Sequence, residues 1–186
     1  MAVAATLLLA GCAPAARPAT PAPSSSTGSG PPTAIGGLDL TFLHAMTAHQ
    51  ERTLAIVRAA PERVREPRLR TLVAAVDATE TDEVAQAREW IRAAGPDAGG
   101  HRHDHHPDPT GAADPVSRLR GTPASGYDAV LVAVLVPQQR QAAELARAHR
   151  ALAVSPAVRD LARRIDESRT AQIRLLTALP VARTMP

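Results

Sequence analysis

The feature that most constrains this chain is a gapless internal repeat at an offset of 89 residues. Asp39 matches Asp128, Gln50 matches Gln139, Arg58 matches Arg147, Pro67 matches Pro156, Arg70 matches Arg159, Asp77 matches Asp166 and Thr81 matches Thr170. Apolar positions agree at the same offset: Met46 with Leu135, Leu69 with Val158, Val76 with Ile165. Self-similarity of this kind means one supersecondary unit used twice, and each half serves as a control on what the other has kept. Aromatic residues make up 2% of the chain. The core must therefore be built from Ala, Leu, Val and Ile, which suits close-packed helices better than a sheet.

Helical periodicity gives four segments. The first, 39–60, carries an apolar stripe at Phe42, Leu43, Met46, Thr53, Ile56, Val57 and Ala60, with a period near 3.6. The second, 67–94, is stopped by Gly95-Pro96. The third and fourth are 128–152 and 156–179, and Ser155-Pro156 makes a helix start, a capping residue followed by proline at the first helical position. Two helical hairpins (38–95 and 126–180) joined by a long crossover (96–125) make an all-α four-helix bundle over 38–182.

The N-terminal segment reads as targeting. A short apolar run at 3–10 is too short to span a bilayer. It ends in Leu9-Ala10-Gly11-Cys12, which resembles the lipobox of bacterial lipoproteins, although the usual basic n-region is missing. That resemblance implies a signal peptide over 1–11, lipidation of Cys12, an extracytoplasmic location and a membrane anchor. Residues 12–37, rich in Pro, Ala, Ser and Gly, read as a disordered tether holding the domain off the membrane. With one cysteine the chain forms no internal disulfide. All 21 basic residues are arginine, interspersed with Asp and Glu instead of gathered in a stripe, so nucleic-acid binding is not expected.

Two sets of residues point to chemistry. On the inner stripe, the position between Met46 and Thr53 is filled by His49 and Gln50, and the matching position of the third helix by Gln138 and Gln139. Buried polar groups need partners, because an unsatisfied one costs roughly 1–3 kcal/mol. Pro137, just before the second pair, removes a backbone bond and should bend that helix. Met46 and His49, three residues apart, can form a residual metal site, or His49 can be a core histidine bonded to Gln50 or to Gln138 and Gln139. The second set is His101, His103, His105 and His106 with Asp104 in the crossover, a flexible chelator for copper, zinc or nickel, or else a solvated loop. No Glu-x-x-His occurs, which sets aside a di-iron site. No nucleophile with a base is apparent, and a non-enzymatic role is expected.

The run Phe42-Leu43-His44-Ala45-Met46-Thr47-Ala48-His49-Gln50 resembles the F-L-x-x-M-x-x-H-H motif of the domain of unknown function 305 (DUF 305) family, and the stretch from Tyr127 to Gln139 resembles its second copy. The segments 70–91 and 159–179 are similar to its paired helices. The resemblance implies a ferritin-like four-helix fold, a secreted or envelope location and, in some members, copper or silver binding through His and Met. This chain departs from the pattern. Three of the four paired histidines are Gln50, Gln138 and Gln139. Methionine positions hold Ile56, Ala87, Leu135, Leu145 and Leu176, and the glutamine positions of the paired helices hold Glu80 and Arg169. A core tolerates such apolar exchanges, whereas a site for Cu(I) needs sulfur. The expectation is a kept fold with most of the metal chemistry shed: an envelope lipoprotein with weak copper or zinc affinity in its histidine loop. The alternative is a metal-free bundle that meets an envelope protein partner.

Overall fold

The computed structural model describes residues 35–95 and 114–183, all of whose regular structure is helical. The expected signal segment, Cys12, most of the expected tether and His101, His103, His105 and His106 lie outside the described residues. Four long helices, α1 (Leu38–Arg58), α2 (Pro67–Ala94), α4 (Tyr127–Leu152) and α5 (Pro156–Thr177), are joined by a short α3 (Pro115–Gly121), and a 3-10 turn follows at Pro180–Arg183. None of these helices is long and apolar enough to cross a membrane.

Local chemistry sets the ends. Gly37, at φ 53°, leads into α1, and Gly95, at φ 88°, closes α2; both lie in the left-handed region that glycine enters without strain. Pro67 and Pro156 occupy the first turns of α2 and α5, where a missing N–H is harmless, and the Glu66 and Ser155 side chains cap the helices that follow. Helix α4 runs through Pro137 without interruption.

The short helix α3 lies in a stretch whose sequence reads as loop. The Asp114 side chain accepts from the Ser117 amide at 3.0 Å, Pro115 opens the turn and Leu119 is buried. Seven residues carry too little periodicity to register as a helix. Arg63 fastens it from outside, donating to the carbonyls of Leu119 (2.8 Å) and Thr122 (2.5 Å) with its guanidinium 4.2 Å over the Tyr127 ring.

Helix α1 packs on α2 and α4, and α5 packs on α4 and α2. Residues at positions equivalent by the 89-residue offset make matching ties between the helices. Asp128, at the start of α4, accepts the amides of Arg65 and Glu66 before α2, the latter at 2.8 Å. Its counterpart Asp39, at the start of α1, accepts the Ser155 amide before α5 at 2.8 Å. Arg58 pairs with Asp77 and Arg147 with Asp166. Arg70 donates to the Val64 carbonyl and Arg159 to that of Ala153. Each arginine and aspartate that survives in both halves makes the same tie twice.

Candidate functional site

The core is split in two by a polar belt. One apolar cluster holds Ile56, Val57, Leu69, Val76, Leu131, Leu135 and Leu176; the other holds Phe42, Leu43, Met46, Ala142, Leu161 and Ile165. Along α1 the inward stripe runs from Met46 through His49, Gln50 and Thr53 to Ile56. Along α2 it runs from Val76 through Glu80 and Glu83 to Ala87. In α4 Gln139 stands between Leu135 and Ala142, and in α5 Arg169 and Gln172 stand between Ile165 and Leu176. All of these polar side chains are buried.

Arg169 is the centre of the belt. Its side chain is 0% exposed. Its guanidinium donates to Glu83 Oε2 and lies 3.4 Å from Glu80 Oε1. Gln50 Nε2 donates to Glu83 at 2.6 Å and Gln139 Nε2 to Glu80 at 2.9 Å, so the two glutamines kept by the repeat each hold one carboxylate. Arg169 also meets Ser168, which accepts from Gln172 at 3.3 Å. Glu80 and Arg169 stand at equivalent positions of the two halves, 89 residues apart, so the repeat has become asymmetric by taking opposite charges at this buried pair of sites.

The belt is unevenly charged. One guanidinium serves two carboxylates, and Glu80 Oε2 and the side-chain oxygens of Gln50, Gln139 and Gln172 have no hydrogen-bond partner among the described residues. Burial pushes Glu80 up to about 7, against the opposing pull of Arg169 and the bond from Gln139. Burial raises Glu83 too, again against Arg169. His49 moves the other way, to about 4, because burial disfavours the imidazolium and Arg52 and Arg169 repel it, while its bond to Gln138 works against the shift. At neutral pH the ring is uncharged, and its Nε2, 2.9 Å from the backbone carbonyl of Gln138, carries the proton it donates there.

These shifts give opposite pH dependences. Unfolded His49 takes a proton near 6.5, whereas folded His49 refuses it until about 4, so its contribution to stability is whole above 6.5 and lost as pH falls from 6.5 to 4. Folded Glu80 keeps its proton to about 7, whereas the unfolded residue gives it up near 4.5, so its contribution is whole below 4.5 and lost as pH rises to 7. Between 4.5 and 6.5 the two offset each other. His49→Gln, which copies Gln138 into the first half, removes the acid-side loss, worth up to about 3 kcal/mol. The urea midpoint of that variant is expected to rise relative to wild type as pH is lowered from 7 to 4.5. An unchanged pH profile would mean that His49 titrates normally.

The residues singled out in the sequence are therefore placed as follows. His49 and Met46 are both buried, but Met46 sits in the apolar cluster and His49 Nε2 is bound to Gln138, through the backbone of that residue and not its side chain. Gln50 and Gln139 are engaged with Glu83 and Glu80, and Gln138 Oε1 has no partner among the described residues. Among the described residues no group of three or more His, Cys, Asp or Glu could hold a metal ion. Apart from Met46, the methionine positions of the motif carry hydrocarbon, the Nε2 of His49 is engaged by the Gln138 carbonyl, and a fixed guanidinium cation stands beside the carboxylates, a setting that suits a soft metal ion poorly.

An all-helical domain with a buried polar belt defines the structural class. The chain belongs to the family described as domain of unknown function DUF305, whose pattern matches residues 39–180. Similar solved structures include the crystal structure of a DUF305 fragment from Deinococcus radiodurans, 17% identical, covering 80% of this chain and 98% of the other with a TM-score of 0.67. CopM in its Cu(II)-bound form is 19% identical, covering 75% of this chain and 93% of the other with a TM-score of 0.62. CopM in its Ag-bound form is 16% identical over 75% and 92%, also with a TM-score of 0.62. At these identities the likeness is one of fold. No curated protein matches the sequence.

Proposed function

We propose that this is a non-enzymatic, ferritin-like four-helix bundle of two repeated hairpins, carried at the outer face of a bacterial membrane by a lipid on Cys12. Its metal affinity, for Cu(II) or Zn, resides in His101, His103, His105 and His106 and not in the bundle. The observation that carries this reading is the fully buried Arg169 set between Glu80 and Glu83. A guanidinium does permanently what a bound cation would do in the same belt: it neutralises buried carboxylates and ties α5 to α2. CopM was solved with Cu(II) and with Ag on a similar fold. In this chain only Met46 and His49 remain on the stripe as donors suited to such ions, while four imidazoles stand within six residues of the crossover.

The test is a Zn and Cu(II) titration of the full chain carrying Cys12→Ser, which removes the thiol as a competing ligand. Binding that vanishes when His101, His103, His105 and His106 are replaced by Ala is the expected result. It should also be lost on acidification through the imidazole range. Binding that survives this replacement would move the site into the bundle. Affinity no better than that of a short histidine tag would favour the metal-free interaction bundle instead.

A further inference from the structure

Three large apolar side chains stand exposed at one end of the bundle: Leu38 (60% exposed), Leu152 (60%) and Val154 (78%). A fourth, Leu175, belongs to α5 near the opposite end. The first three are gathered by a buried tie. Asp39, next to Leu38, lies 2.8 Å from His149 Nε2 and accepts the Ser155 amide at 2.8 Å, drawing the start of α1 onto the α4–α5 connection that carries Leu152 and Val154. Phe42 stacks on the His149 ring at 4.2 Å and stiffens the same junction. The exposed apolar side chains therefore sit on a rigid platform.

Two further observations say what covers that platform. First, the chain enters here: 34 residues precede the described part, and Ile35 packs into the core cluster of this end. Second, the rim is basic. Between 147 and 166 the sequence has five arginines and two aspartates, Asp160 pairing with Arg163 and Arg164 and Asp166 with Arg147. Arg150 and Arg159 are exposed beside Leu152 and Val154; the Asp166 carboxylate lies 3.9 Å from Arg150, and Arg159 spends one of its N–H donors on the Ala153 carbonyl and keeps the rest. Apolar tips flanked by arginine suit the boundary between acyl chains and anionic headgroups. They suit a second copy of the chain poorly, because three side chains fall well short of the roughly 800 Å² per partner that a stable dimer buries.

We infer that this end of the domain rests on an anionic bilayer, with Leu38, Leu152 and Val154 seated below the headgroups and Arg150 and Arg159 against the phosphates. The inference rests on the reading that the N-terminal segment attaches the protein to a membrane, and it revises the expectation that the tether holds the domain away from it. Attachment at this end makes the encounter intramolecular, so a surface affinity too weak to bind a free protein suffices.

The test separates docking from attachment by making the attachment chemically. The full chain, carrying Trp90→Phe and Val154→Trp, is coupled through Cys12, its one cysteine, to vesicles of phosphatidylglycerol, a maleimide lipid and a bromine-labelled lipid. The indole at 154 should be quenched severalfold more than one introduced by Thr71→Trp at the far end of the bundle. Adding Leu38→Ser and Leu152→Ser should abolish the difference, and replacing phosphatidylglycerol by phosphatidylcholine should reduce it. Equal quenching at both sites, or none at either, would overturn the proposal. Failure of Cys12 to be acylated in a bacterium would refute the lipoprotein reading while leaving this result standing.

Discussion

Arg169→Leu is expected to cost about 3–5 kcal/mol of folding stability, the usual penalty for removing one partner of a buried ion pair. The two carboxylates it serves would be left inside the bundle with only the Gln50 and Gln139 amides to face them. For a domain of this size that is a fall in Tm on the order of 10 °C. The loss arises from the stranded charge and not from lost packing. Glu80→Gln and Glu83→Gln added to Arg169→Leu should therefore restore most of it, since apolar and amide replacements of a buried ionic group are often close to neutral. Thermal unfolding of wild type, single and triple variants at pH 7 decides the point. A single variant as stable as wild type would mean that the guanidinium contributes nothing net. A triple variant as unstable as the single one would trace the cost to volume.

Asp39→Ala carries the second large effect, about 2–4 kcal/mol. It strips the Ser155 amide of its acceptor and leaves buried His149 without its carboxylate, loosening contacts between residues more than a hundred positions apart. The repeat supplies the control. Asp128 holds the equivalent amide of Glu66 and, at the exposed edge, that of Arg65, but Ala60 stands where the second half has His149, so no imidazole depends on it. Asp128→Ala should cost about 1–2 kcal/mol, clearly less than Asp39→Ala. Equal losses in urea unfolding would show that the His149 contact adds nothing.

Much of the fold was legible because its signals are periodic. The apolar stripes of α1, α2, α4 and α5, the Ser155-Pro156 start and the Gly95 stop gave helix limits within a few residues of those observed. The 89-residue offset also carried information that only the structure decodes: why Asp39 and Asp128, or Arg70 and Arg159, are the residues kept in both halves. Helix α3 escaped because it is fixed by an Asp114 cap and by Arg63 from another segment, neither of which leaves a local pattern.

The polar belt was half legible. His49, Gln50, Gln138 and Gln139 stood out as polar residues on apolar stripes, and Glu80 and Arg169 were visible as replacements at matching positions. What could not be read was their pairing. Periodicity says which residues face inward but not which inward residues meet, and the partner of Gln50 is Glu83, on a different helix and at no repeat-related position. The available signal was charge complementarity: two acids and one base placed on inward stripes, where an unpaired charge is not tolerated.

The most direct test of the account is a Cu(I) titration of the full chain carrying Cys12→Ser and the four loop replacements, followed by the NMR resonances of the His49 ring. The His49 signals are expected to stay unmoved and no tight equivalent to bind, because the Arg169 guanidinium stands beside the carboxylates of the belt, His49 Nε2 is held by the Gln138 carbonyl and Met46 lies in hydrocarbon. One tightly bound Cu(I) that shifts the His49 ring and is lost on His49→Gln would contradict it and place a working soft-metal site inside the bundle.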